Sequence, residues 1–96
     1  MVYWIGFGKT AFGEVFREKA YDSLPKTRAY AARVLREGEY HWADIFASKD
    51  KKYHIESIMI NRDFGKSFPV SSRYDAKKKI FMQRPFSIST GQFIKR

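Results

Sequence analysis

The stretch around residues 24–37 carries a set of helix signals that constrains the fold more than any other feature. Ser23 is a suitable N-cap, and Pro25 falls in the first turn, where its missing N–H costs nothing. Gly38 provides a natural C-terminal stop. The spacing of apolar residues predicts one buried stripe on this helix, formed by Thr27, Tyr30, Ala31, Val34 and Leu35.

The segments on both sides of this helix have β-type composition. Residues 2–8 are rich in aromatic and branched side chains and predict a strand. Residues 14–20 fit helical spacing as well as strand alternation, and we favour a strand paired with the first because Gly13 would weaken a short helix. Residues 40–47 and 53–60 predict a hairpin joined by a polar loop.

The signals weaken after this hairpin. Residues 61–65 predict a turn, and residues 79–83 and 86–89 predict short strands, with Pro85 marking an edge or a bend between them. The expected fold is therefore of the α+β class, within a single domain spanning residues 1–96. It is a small antiparallel sheet with one helix packed on one face, in the order ββαββ plus one or two C-terminal strands.

Several functional classes are disfavoured by composition. The 96 residues include no cysteine, which excludes disulfide scaffolds and cysteine zinc sites. The first residues lack the pattern of a signal peptide, and no apolar run approaches the ~20 residues that span a bilayer. We therefore expect a cytoplasmic protein with no membrane partner, no metal and no cofactor.

Nucleotide-binding and metal-binding patterns are weak. The run Gly6-Phe7-Gly8-Lys9-Thr10 ends like a phosphate-binding loop, but Tyr3 stands where that motif needs a glycine, so we interpret the match as accidental. The two histidines, His41 and His54, could form a zinc site only together with carboxylates. The hairpin as drawn holds them far apart, which argues against such a site.

A carboxylate pair is the remaining catalytic candidate. A five-residue loop in the hairpin would place Asp44 near Glu56 and Phe46 near His54. Such a pair performs acid–base chemistry when burial separates the two pKa values, but on an exposed hairpin face both carboxylates are simply solvated. We therefore expect no catalytic residues.

The formal net charge is +9, and its distribution along the chain is uneven. Residues 1–63 hold 11 Lys and Arg against 9 Asp and Glu, whereas residues 64–96 hold 8 against 1. Lys and Arg neutralise phosphates and exposed aromatic rings stack on bases, so their combination is typical of a nucleic-acid surface. The basic residues of this C-terminal third are interleaved with Phe64, Phe68, Tyr74, Phe81, Phe86 and Phe93. We nevertheless expect most of these phenylalanines in the core, because an exposed Phe is costly unless it is used.

These patterns predict a non-enzymatic binding domain whose basic surface engages a polyanion, with nucleic acid as the first choice. The alternative is a protein-interaction or inhibitor domain that docks on an acidic protein surface. An enzyme, such as a metal-independent RNase, ranks third, and a homodimer is compatible with the sequence. A second basic stripe, Lys26, Arg33 and Arg36, is expected on the outer face of the helix, with Ala29 between its members. The candidate binding residues are Lys66, Arg73, Lys77, Lys78, Lys79, Arg84, Lys26, Arg33 and Arg36.

Overall fold

The computed structural model describes residues 2–49, 53–63 and 66–94, except for the side chains of residues 62, 63 and 66. One antiparallel sheet contains all the strands of this part of the chain, in the order β2-β1-β3-β4-β5-β6. The elements are β1 (Trp4–Lys9), β2 (Gly13–Lys19), α1 (Leu24–Arg36), β3 (Trp42–Phe46), β4 (His54–Asp63), β5 (Lys66–Asp75) and β6 (Ile80–Pro85).

The helix α1 begins and ends where its local signals predict. Ser23 has extended backbone angles, and its Oγ accepts a hydrogen bond from the backbone N–H of Lys26 at 3.5 Å. At the other end Gly38 adopts φ +90°, which favours glycine, and its N–H donates to the carbonyl of Leu35 at 3.0 Å. In the described part of the chain, the α+β class and the packing of one helix on the sheet are as predicted.

One face of the sheet packs against α1 and contains the apolar core. Alternation along the strands directs every second side chain of β1, β3 and β4 toward the helix. The core consists of Ile5, Phe7, Ala31, Ala32, Leu35, Ala43, Ile45, Ile58 and Phe86. Phe86 follows β6, so the C-terminal segment after that strand folds back to cover part of this core. We call the other face of the sheet, which α1 does not cover, the open face.

The buried face of the helix differs from the predicted stripe at several residues. Tyr30 and Val34 of the predicted stripe are only half-buried, whereas Arg28 and Ala29 are buried. Ala29 was expected on the outer face, but it lies beside the C-terminal segment, whose Thr90 shares a groove with it. A segment distant in sequence thus covers a helix face that looks exposed from periodicity alone.

The predicted outline of the C-terminal half is incomplete. The strand β5, residues 66–75, was not predicted, so the order is ββαββββ. The strand predicted at 86–89 is wrong: Phe86 forms one isolated bridge with Phe93, and the chain between them turns at Gly91, which has φ +74°.

A β-bulge determines which side chains of the β3–β4 hairpin lie on each face of the sheet. The register shifts between Ile45 and Phe46, and Phe46 lies opposite His54 as predicted. Asp44, however, lies on the open face, whereas Glu56 faces the helix and is fully buried. The predicted exposed pair of Asp44 and Glu56 is therefore wrong.

Candidate functional site

The turn between β5 and β6 presents three consecutive lysines to solvent. The Oδ1 atom of Asp75 accepts hydrogen bonds from the backbone N–H groups of Lys77 and Lys78, at 3.0 and 3.2 Å. Such Asx-type bonds fix the path of a turn. Lys79 completes it in the left-handed region, with φ +57°, and all three lysines are exposed. The sequence predicted these lysines as binding residues, and the turn collects them at one end of the hairpin.

Two exposed aromatic rings lie next to this turn. Tyr74 and Phe81 are directly opposite each other on β5 and β6, and the register places both on the open face. Their ring centroids are 5.2 Å apart in an edge-to-face arrangement. Tyr74 is 57% exposed and Phe81 is 69% exposed. The expectation that most phenylalanines of this region lie in the core holds for Phe86 but not for Phe81.

On its opposite face, which points toward the helix, the same hairpin contacts a buried ion network. Glu56 on β4 has no exposed surface, and Arg28 on α1 is 3% exposed. The Glu56 carboxylate accepts bonds from Arg28 Nε at 2.6 Å and Arg28 Nη2 at 3.2 Å, which is a two-pronged contact. Arg28 Nη1 donates to the carbonyl of Gly91 at 2.5 Å. One arginine thus ties the helix to the sheet and to the C-terminal segment.

A second arginine reaches the same carboxylate from the hairpin. Arg73 donates to Glu56 Oε2 from both Nε and Nη2, each at 2.9 Å, while 46% of its side chain stays exposed. Burial raises the pKa of Glu56, but the hydrogen bonds and the charge of Arg28, with contributions from Ser71 and Arg73, outweigh it. The pKa of Glu56 is therefore held below the ordinary value of 4.5. The carboxylate is ionised at neutral pH and positions both guanidinium groups.

A third arginine extends this network on β6. Arg84 stacks on the Phe93 ring, with 4.0 Å from its guanidinium carbon to the ring centroid, and Arg28 stacks on the same ring at 4.1 Å. A small pocket of about 40 Å³ opens beside them, lined by Ser71, Arg73, Met82, Arg84 and Phe93. We call this the arginine pocket. The sequence predicted Arg73 and Arg84 as binding residues, but nothing in the pattern predicted Arg28, Glu56 or their pairing.

The predicted basic stripe of the helix, Lys26, Arg33 and Arg36, does not join the basic residues of the hairpin. Lys26 and Arg33 line a separate groove of about 280 Å³ together with Tyr21, Ala29, Ser89 and Thr90. Arg36 lies beside yet another depression, near Ile60 and Ser67 at the far end of β4 and β5. The nine predicted residues therefore fall at several places, and the side chain of Lys66 lies outside the described residues.

The open face contains a polar groove that sequence reasoning missed. The two glycines of the accidental phosphate-loop match lie under two of its lining side chains: a Cβ on Gly6 would overlap Glu14, and one on Gly8 would overlap the Trp42 ring. The glycines therefore let these larger side chains lie across β1. The groove measures about 380 Å³ and is lined by Glu14, Arg17, Trp42, Asp44, Phe46, His54 and Ser57.

A serine, a histidine and an aspartate meet in this groove, but not as a catalytic triad. Ser57 Oγ donates to Asp44 Oδ1 at 2.6 Å, and His54 Nε2 lies 3.1 Å from the same Oγ. A nucleophilic serine has to give its proton to the histidine, and here the hydroxyl proton points to the carboxylate instead. His41 lies elsewhere, with its Nδ1 accepting a bond from the backbone N–H of Thr10 at 2.9 Å.

No protein-family model, curated protein or solved structure matches the chain. Within residues 2–49, 53–63 and 66–94, no group of three His, Cys, Asp or Glu side chains is arranged to hold a metal ion. The described part of the chain has no helix of the length and apolarity that crossing a bilayer requires.

Proposed function

We propose that this protein binds nucleic acid through the β5–β6 hairpin. The observation that carries the proposal is the juxtaposition, on one hairpin, of three turn lysines with the exposed pair Tyr74 and Phe81. The lysines would contact phosphates, and the rings would stack on bases. Stacking of a base on an aromatic side chain contributes about 1–3 kcal/mol to binding, which would explain why these rings are exposed.

The local charge supports the same proposal. Between residues 66 and 85 the sequence holds six Lys and Arg and one acidic residue, Asp75. Asp75 accepts two backbone bonds that shape the turn, so its carboxylate is also needed for the conformation of the lysines. A polyanion approaching this hairpin meets an excess of positive charge, and its binding would release counterions and weaken with salt.

Charge removal at the turn tests the phosphate contacts. The variant Lys77→Ala/Lys78→Ala should flatten the plot of log K against log salt by about 1.4 for a single strand, since each phosphate contact contributes about 0.7. The matched control is Lys9→Ala/Lys19→Ala, which removes the same charge from β1 and β2 and should leave most of the slope unchanged. Equal slopes for the two variants would contradict the proposal that the turn lysines contact the phosphates.

Ring removal tests the stacking. Phe81→Ala should weaken binding to single-stranded DNA or RNA by about 5- to 150-fold, which corresponds to the 1–3 kcal/mol of one stacked base. The control is Phe12→Ala, because Phe12 is 78% exposed in the β1–β2 turn. Both variants should fold with a loss of less than about 1 kcal/mol. Failure of the wild type to bind duplex DNA, single-stranded DNA or RNA at about 50 mM salt would refute the proposal.

One observation supports the second candidate, a protein that docks on an acidic partner. The strand β6 lies at the end of the sheet order and exposes Ile80, Phe81 and Met82. An edge strand of this kind can pair with an extended segment of another protein. Binding would then depend on these apolar side chains, with the turn lysines mainly setting the association rate. Retained partner binding without any affinity for nucleic acid would favour this alternative.

A further inference from the structure

The arginines in and behind the arginine pocket carry more positive charge than the carboxylate of Glu56 balances. Arg28 and Arg73 pair with the single carboxylate of Glu56, and Arg84 stacks on the same Phe93 ring as Arg28. Three guanidinium groups therefore lie close to one carboxylate, which leaves an excess of two positive charges. Within the described residues Arg84 makes no ion pair, and its guanidinium group stacks on the Phe93 ring. A dianion would balance this excess, and a monoanion would balance half of it.

The groups that line the pocket are already held in place. Arg73 is fixed by its two bonds to Glu56, and Arg84 is fixed by stacking on Phe93. Arg73 Nη1 and the N–H groups of Arg84 have no recorded hydrogen-bond acceptor within the described residues. Guanidinium groups bind phosphate oxygens through paired N–H donors, and donors fixed in advance lose less entropy on binding.

The size of the pocket limits what it can hold. Its volume is about 40 Å³, and each water needs about 10–15 Å³ on the same measure, so it holds about three waters. That space suits a tetrahedral oxyanion and is too small for a nucleobase. Ser71, which is buried, and Met82 complete the lining, so the polar residues of the lining are one serine and two arginines.

We infer that the arginine pocket binds the terminal phosphate monoester of a nucleic-acid strand, an inference that rests on the proposed function. A terminal phosphate is a dianion above pH ~6, whereas each internal phosphodiester carries one charge. The pocket lies on the helix-side face of the hairpin, and Tyr74 and Phe81 lie on its open face. Because β6 is the edge strand, a nucleic-acid strand can pass round this edge from the stacked bases to the pocket.

The test compares one short single-stranded sequence in three forms, with a 5′-phosphate, with a 3′-phosphate and with hydroxyls at both ends. They compete with a labelled reference strand for the wild-type protein. One phosphorylated form should compete at least about tenfold better than the hydroxyl form, as expected for hydrogen bonds to a charged group. The phosphorylated form that competes better identifies whether the 5′ or the 3′ end of the strand binds in the pocket. The advantage should shrink between pH 7.5 and 5.5, since the second phosphate ionisation lies near pH 6.

Three variants separate this inference from the proposed function. Arg84→Gln should abolish the advantage of the phosphorylated form while keeping the thermal midpoint, because Arg84 is exposed. Lys77→Ala/Lys78→Ala should weaken all three forms alike and keep the advantage. Phe93→Leu, which removes the stack but no charge, should reduce the advantage partly. Equal binding of all three forms to the wild type overturns the inference and leaves the proposed function standing, whereas binding of none at about 50 mM salt overturns both.

Discussion

Replacing Glu56 by glutamine should destabilise this protein strongly, because it removes the charge at the centre of the buried ion network. Glutamine keeps the volume and one acceptor oxygen of glutamate. Its NH2 group replaces the other oxygen and, as a donor, cannot accept a hydrogen bond from Arg28. Arg28 is 3% exposed, so its charge would remain buried without a counter-ion. Breaking one partner of a buried pair in this way costs about 3–5 kcal/mol. That is a large part of the about 5–15 kcal/mol that stabilises an ordinary domain.

Urea unfolding followed by circular dichroism measures this cost. With a slope of about 1–3 kcal/mol per molar urea, the midpoint for Glu56→Gln should fall by at least about 1 M. Two variants serve as comparisons. Glu39→Gln makes the same change on an exposed residue and should shift the free energy of unfolding by about 0.5 kcal/mol or less. Arg73→Gln removes the solvent-exposed partner and should cost about 1 kcal/mol or less, since water screens that charge.

The same network sets the acid sensitivity of the fold. The pKa of Glu56 is lower in the folded protein than its ordinary value of 4.5, so the carboxylate binds a proton more readily when unfolded. Its stabilising contribution is therefore complete above about pH 5 and is lost as the pH falls through and below that value. The difference in unfolding free energy between wild type and Glu56→Gln should shrink from pH 7 to pH 3.5. A cost below about 1 kcal/mol at pH 7, or one that does not change with pH, would refute this reasoning.

Three further predictions test the fold and the turn. Leu35→Ala should cost about 2–5 kcal/mol because Leu35 is buried under the sheet, whereas Arg33→Ala should cost about 0.5 kcal/mol, and equal costs in urea melts would contradict the helix orientation. Gly8→Ala should displace the Trp42 ring and change its fluorescence, measured in a Trp4→Phe background, and an unchanged spectrum would contradict that contact. Lys79→Gly should stabilise the protein by up to about 1 kcal/mol, since φ +57° favours glycine, and a loss in thermal melts would contradict the turn geometry.

Local signals explain which parts of the fold were predictable. The helix is bounded by Ser23 and Gly38, whose side chain and backbone act on their immediate neighbours. The strand β5 lacks such signals, because it contains four serine and proline residues among ten. Ser71 is buried on the same face as Glu56, and Ser72 is buried on the open face opposite Ser57, so both positions have polar neighbours. A strand that packs against an ion network does not show the apolar alternation from which strands are recognised.

The candidate site was predictable only in part, for a related reason. The turn lysines follow one another in the sequence, so their proximity needed no tertiary information. The pairing of Arg28 with Glu56 depends on the bulge after Ile45, and a shift of one residue in a strand exchanges the two faces. Because of the unpredicted bulge, Asp44 and Glu56 lie on different faces of the sheet, and Glu56 is buried on the helix side. The arginine pocket thus arises from register, which the sequence pattern does not encode locally.

The buried carboxylate is better explained by placement than by stability. Apolar residues of similar volume can often replace a buried ion pair without loss, so burying Glu56 is not the simplest way to hold α1 on the sheet. Glu56 does something that an apolar residue cannot do: it fixes the direction of Arg73 on β5 and of Arg28 against Gly91 and Phe93. The same ring fixes Arg84. One negative charge in the core therefore sets the positions of three positive charges, two of which line a pocket open to solvent, and this arrangement would prepare the surface for an anion before one arrives.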